Sequence, residues 1–262
     1  MNRAEILSKA AGNGEERVLL SRIWDLADHA QQRSVPQWTH FLSPQEQRLT
    51  EHLLHALGDP AHRFWGGYAE AQRKICVFLP DWLTWEDWEE QPIRAIRASW
   101  YAGDSLNHRD LLGALMGQGI KREMVGDLLV DRESCDILVM GDIAPWLLQH
   151  LESAGRTRLR LEEVGLNRLH IPVQEVKVIR DTVATLRLDA VAASGFSVSR
   201  AKMADYIRAG RGSVNWAATE RTDLPVQAGD VISCRGLGRC RLSETGALSR
   251  KGRINIQLER YL

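Results

Sequence analysis

The stretch "SVSRAKMADYIRAGRGSVNW", Ser197 to Trp216, decides how the last third of this chain is read. Met203, Ala204 and Ile207 fall on one helical face, and Gly210 stands where a helix would stop. Ser199 is placed to cap the start. The first turn then carries Arg200 and Lys202, at the end of a helix whose partial charge is already positive. The unpaired N–H groups of a helix start attract anions, phosphate above all. A phosphate between those donors and the two side chains would turn a repulsion into a grip, which Arg208 and Arg211 could extend along a nucleic acid backbone.

The surroundings support a polyanionic partner. From Arg180 onward there are 14 Lys and Arg against 8 Asp and Glu, although the 262-residue chain has a net charge of zero. A basic tail therefore follows an acidic body. Upstream, "RLDAVAASG" reads as a short helix ending at Gly195. Downstream, "SVNW", "DVISCRG", "GRCRL" and "RINIQLERYL" read as strands separated by turns. The late cations Arg235, Arg239, Arg241, Arg250, Lys251 and Arg253 read as one cluster, with Gly236, Gly238 and Gly252 permitting close backbone approach.

Before the basic region, residues 172–184 look extended and are expected to be a linker. Residues 91–171 run β-α-β-β-α-β: "IRAIRASW", "NHRDLLGALMGQG" capped by Asn107, the hairpin "MVGDLLV"–"CDILVM", "DIAPWLLQHLESAG" and "RTRLRLEEV". That order predicts a ferredoxin-like domain, the arrangement of RNA-recognition modules, although the aromatic signature of a true RNA-recognition motif is absent. Residues 1–90 predict an N-terminal α/β part, with helices near 15–32 and 44–57 and strands in "RFWGGY" and "KICVFLP". In "DWLTWEDWEE", Trp82, Trp85 and Trp88 recur every third residue, as on one face of a helical turn that staples onto its own core or docks a protein partner. The whole is α+β.

Several chemistries are excluded. His108-Arg109-Asp110 lacks the asparagine a kinase loop needs, since Leu115 holds that position. It reads as a helix start, with His108, Arg109, Lys121 and Arg122 as a possible second RNA contact. His52, His55 and His62 lack further converging ligands, so no metal or cofactor is expected. The four cysteines form no C-x-x-C pair and read as reduced thiols of a cytoplasmic protein. No apolar run approaches the ~20 residues of a membrane span.

Arg187-Leu188-Asp189, Ser199-Arg200, Gly210, Val214-Asn215 and Gly229-Asp230 together resemble the S-four RNA-binding domain. "HRDLLGALMGQGIKREMVGDLLV", "SCRGLGRCRL" and "SRKGRINIQ" resemble the YlmH family, some members of which carry a photosystem II-associated label. That resemblance implies an α/β N-terminal part, an RNA-recognition-like middle and a C-terminal S-four domain at 185–262. It implies ribosomal or transfer RNA as partner, on large ribosomal subunits holding peptidyl-tRNA in ribosome-associated quality control, without catalytic residues. The RNA-binding set then comprises Arg187, Ser199, Arg200, Lys202, Arg208, Arg211, Asn215 and the late cations. The alternative is an accessory protein of photosystem biogenesis or cell division, with RNA binding secondary.

Overall fold

The computed structural model describes residues 2–88, 92–173 and 175–261. The chain forms two compact units, residues 1–172 and 173–262.

The first unit opens with α1 (Arg3–Ala10) and α2 (Gly14–Arg33), followed by β1 (Gln37–Trp38), α3 (Pro44–Ala56), β2 (His62–Trp65) and β3 (Ile75–Phe78). Ser43 and Glu46 form a reciprocal cap at the start of α3, with Pro44 in the first turn. The small sheet is antiparallel, in the order β1-β3-β2. Cys76 and Phe78 pack on one side with Leu20, Ile23, Leu53 and Leu54 of the helices. Ile75 and Val77 point to the other side.

The chain continues with β4 (Ile93–Ser99), α4 (His108–Gly117), β5 (Val125–Val130), β6 (Ser134–Met140) and α5 (Ala144–His150). The two-residue strands β7 (Ser153–Ala154) and β8 (Thr157–Arg158) form a hairpin, and β9 (Arg160–Val164) completes the sheet. The sheet is antiparallel throughout, in the order β5-β6-β4-β9. Asn107 caps α4, accepting from the backbone N–H groups of Arg109 at 2.8 Å and Asp110 at 3.2 Å.

Both faces of this sheet are buried. Ile96, Ala98, Ile137 and Val139 meet Leu111, Leu115 and Leu147 of α4 and α5. Ile93, Ala95, Leu138 and Met140, on the opposite face, meet Phe41, Ile75, Val77 and Leu79. The N-terminal elements thus share a core with the middle sheet. The boundary expected at residues 90 and 91 falls outside the described residues, as do Glu89 and Glu90 of the tryptophan segment. That segment forms turns instead of a helix, because only two of its three indoles have a core to meet. Trp85 and Trp88 pack inward, edge to face at 6.3 Å. Trp82 is 65% exposed and donates its indole N–H to the Ser34 carbonyl.

The second unit comprises β10 (Val176–Val183), α6 (Leu188–Phe196), α7 (Arg200–Arg208), β11 (Gly212–Val214), β12 (Ala217–Thr219), β13 (Val231–Cys234), β14 (Gly238–Leu248) and β15 (Ile254–Tyr261). Its antiparallel sheet runs β10-β15-β14-β13-β11-β12, with the helices packed through Leu188, Val191, Phe196, Met203 and Ile207. The expected linker is corrected here: residues 176–183 are an edge strand, paired with β15 from Val176↔Tyr261 to Val183↔Ile254. The partner lies more than seventy residues away, so no local pattern announced the pairing. Gly195 is also not a helix stop. It is buried inside α6, where an added Cβ would sit 2.6 Å from the Cys240 sulfur. Gly210, at φ +67°, does end α7.

All four cysteines are buried. Burial pushes the thiols of Cys76, Cys135 and Cys234 upward, and that of Cys240 to about 12. The folded protein is therefore expected to show no fast thiol toward an aromatic disulfide reagent at pH 8, and four after unfolding in urea. A rapid native reaction would contradict this burial.

Candidate nucleic-acid interface

The start of α7 is built as the sequence suggested, with Ser199 accepting from the Lys202 backbone N–H at 3.3 Å. The reason for Arg200 differs from the one expected. Its guanidinium is bidentate to Asp189 of α6, at 3.0 and 3.2 Å. Arg187 also meets both oxygens of this carboxylate, at 3.3 and 3.4 Å. The Asp189 side chain is 7% exposed while those of Arg200 and Arg187 are 52% and 39% exposed. A buried carboxylate, not a phosphate, therefore offsets the charge of Arg200 at the helix start. Two half-exposed guanidiniums around one carboxylate still leave a net positive charge.

This changes the effect of mutation. If only the helix dipole acted on Arg200 and Lys202, removing both would leave the fold intact or slightly stabler. With Asp189 losing its closer partner, Arg200→Ala is instead expected to destabilise the second unit by about 1–2 kcal/mol, the exposed guanidinium keeping the cost modest. Lys202→Ala alone should be near neutral, and urea unfolding separates the two.

Several expected RNA contacts have structural work. Asn215 and Trp216 both take positive φ, 49° and 67°, in the tight turn between β11 and β12. The Asn215 amide donates to Asp230 at 2.6 Å and its oxygen accepts from the Val231 N–H at 2.9 Å. Arg211 donates to the Arg235 carbonyl at 2.7 and 3.2 Å, and its guanidinium lies 4.6 Å from the Tyr206 ring centre. Arg253 donates to the Thr182 hydroxyl at 2.9 Å and to its carbonyl. Arg208 pairs loosely with Asp205 at 3.4 Å. Arg239 sits over the Tyr261 ring.

Nor do the late cations form one cluster. Arg235 lies in the turn before β14, and Arg250 and Lys251 lie in the turn after it. An eleven-residue strand, with register shifts after Leu242 and after Thr245, separates these ends. Two groups result. Arg200 and Arg253 line one open cleft of about 500 Å³ with Arg180, Asp181 and the hydroxyls of Ser194 and Ser197. Arg250 and Lys251 stand exposed in the turn that leads to Arg253. The second group gathers around Tyr206, with Lys202 5.9 Å from its ring centre, Arg211 stacked closer, and Arg235 joined to Arg211. Tyr206, which organises one group, escaped the sequence reading, and Asp189 entered it only as part of the Arg187-Leu188-Asp189 motif, not as the partner of Arg200. A carboxylate eleven residues from its arginine, and an aromatic four after a lysine, were the available signals.

In the first unit, His108, Arg109 and Lys121 are exposed. Arg122 is removed from the candidate contacts. It is half-buried and donates to the carbonyls of Val125 and Gly126. Burial, and then the neighbouring Arg73 guanidinium, push its pKa down to about 10. Of the histidines weighed as metal ligands, His55 meets Asp59 at 3.0 Å and His62 meets the Pro60 carbonyl.

Two family models match the first unit: residues 15–79 match the N-terminal domain of YlmH, and residues 102–168 a putative RNA-binding domain in YlmH. A Bacillus subtilis relative, ribosome-associated protein quality control protein P2, is 34% identical over 248 residues, covering 94% of this chain and 95% of its own. This chain belongs to the YlmH family. The relative spans both units, so the YlmH likeness extends into the basic region beyond the two matched domains. A solved structure, cell division protein ylmH from Streptococcus pneumoniae, superposes with a TM-score of 0.50 at 22% identity. It covers 62% of this chain and 98% of its own length, and it shows likeness of fold alone. Among the described residues of this YlmH protein, no helix is long and apolar enough to cross a membrane.

Proposed function

We propose that this protein binds RNA in ribosome-associated quality control, gripping structured ribosomal or transfer RNA on the large subunit, and that it is a cytoplasmic protein without catalytic activity. One observation carries the reading: the likeness to a relative named for that process runs through 94% of the chain, basic unit included. In this reading the first unit joins the N-terminal elements to a ferredoxin-like middle, and the second is an S-four domain. Its contacts are exposed cations without carboxylate partners among the described residues, chiefly Lys202, Arg235, Arg250 and Lys251. Phosphate contact supplies affinity and shape supplies selectivity, since side chains read little in the deep groove of an RNA helix.

Co-sedimentation with purified large subunits at graded salt tests it. About six phosphate contacts give a log–log slope of about −4 to −5. Binding that ignores salt, or no binding to subunits with or without transfer RNA, would refute the proposal.

A further inference from the structure

RNA-recognition sheets commonly stack bases on aromatic side chains of an open sheet face. That face is closed in this protein, because Phe41, Ile75, Val77 and Leu79 cover it. A base contact by the putative RNA-binding domain has to come from elsewhere on its surface. A cleft of about 290 Å³ lies between the loop after α4 and the start of α5. Ile120, Met124, Ile143 and Trp146 give it apolar walls, and Gln118, Lys121 and Asp142 complete the lining.

Trp146 is 39% exposed despite standing on a helix whose next residue, Leu147, is fully buried. Its ring is braced by His150, stacked at 4.5 Å and 12°. The His150 Nδ1–H donates to the Trp146 carbonyl at 2.8 Å, which fixes the imidazole against the indole. An exposed indole held flat by a neighbouring ring is preorganised for stacking. Lys121 is exposed and belongs to no ion pair among the described residues.

We infer that this cleft holds one unpaired nucleotide of an RNA strand, its base against Trp146 and its phosphate at Lys121. Asp142 and Gln118 offer an acceptor and an amide to the exocyclic groups of the base. An apolar peptide side chain would use the same walls but leave the charge of Lys121 unanswered. The inference rests on the RNA-binding reading and names a site within it.

The test uses the full chain with a ten-nucleotide single-stranded RNA and the same backbone made abasic. Trp146→Ala is expected to weaken the base-bearing strand by about tenfold and to leave the abasic strand unchanged. Trp146→Phe should restore most of the loss, and Lys121→Ala should weaken both strands. Equal binding of both strands by the wild-type protein, no binding of either, or an equal loss on both from Trp146→Ala overturns the inference. A photoreactive phenylalanine at position 146 adds an independent arm. Cross-linking to RNA supports the site, and cross-linking to protein alone overturns it. Large-subunit binding that falls with salt while Trp146→Ala changes nothing sinks this inference and leaves the broader reading standing. Loss of subunit binding in the wild-type protein sinks both.

Discussion

Replacing Arg97 with methionine is expected to lower the stability of residues 1–172 by about 3–5 kcal/mol. Arg97 and Asp136 are cross-strand partners on β4 and β6, on the sheet face that faces the N-terminal elements. The Asp136 side chain is wholly buried and that of Arg97 is 12% exposed. The two are joined by parallel bonds of 2.7 Å, from Nε and Nη2 of Arg97. Asp136 also accepts the His170 backbone N–H at 2.7 Å, and Arg97 donates to the Arg168 carbonyl at 2.9 Å. The pair therefore ties the last residues of the unit to its central strands. Methionine keeps much of the bulk but leaves a buried carboxylate with one donor. The loss should appear as a fall in melting temperature on the order of 10 °C. Eight of the nine tryptophans precede residue 173, so indole fluorescence reports this unit. The double change Arg97→Met with Asp136→Leu should recover part of the loss, since it removes the stranded charge but abandons the His170 N–H. A single-variant loss below about 1 kcal/mol would show that water or a proton reaches Asp136 cheaply.

The largest effect on binding is expected from removing Lys202, Arg235, Arg250 and Lys251 together. Each of these side chains is exposed and none is in an ion pair among the described residues, so their loss costs little stability. If each neutralises one phosphate, the salt slope should flatten by about 3–4. Affinity for large subunits would then fall about a thousandfold at 0.15 M salt and hardly at all near 1 M. Arg235 and the Arg250–Lys251 pair flank opposite ends of β14, and halves of the variant separate them. Lys202→Ala with Arg235→Ala, and Arg250→Ala with Lys251→Ala, should each cost roughly thirtyfold if one RNA surface spans both ends. An unchanged slope in the fourfold variant would remove the phosphate grip from the second unit.

Much of this was legible along the chain. Asn107, Ser43 with Pro44, and Gly210 mark helix ends by local chemistry, and they act where they stand. The alternation in residues 93–99 and the apolar, β-branched run in residues 134–140 mark strands. Periodicity and capping belong to neighbouring residues, so one sequence carries them. The same holds for the excess of cations after Arg180, which composition alone reveals.

What tertiary structure decided is who meets whom. Arg200 looked unanswered because Asp189 sits in a different helix, and only the packing of α6 on α7 brings them together. Arg211, Asn215 and Arg253 looked like free ligands because their acceptors lie in other strands or turns. Arg235 and the Arg250–Lys251 pair fall apart because the eleven residues of β14 lie between them. The middle sheet lost its open face to Phe41, Ile75, Val77 and Leu79 of the N-terminal elements, so the base contact inferred above lies on its helix side. Local sequence determines which elements form and how much charge they carry. Which charges remain for a partner depends on distant pairings, whose energies are set by burial, and burial exists only once the chain has folded.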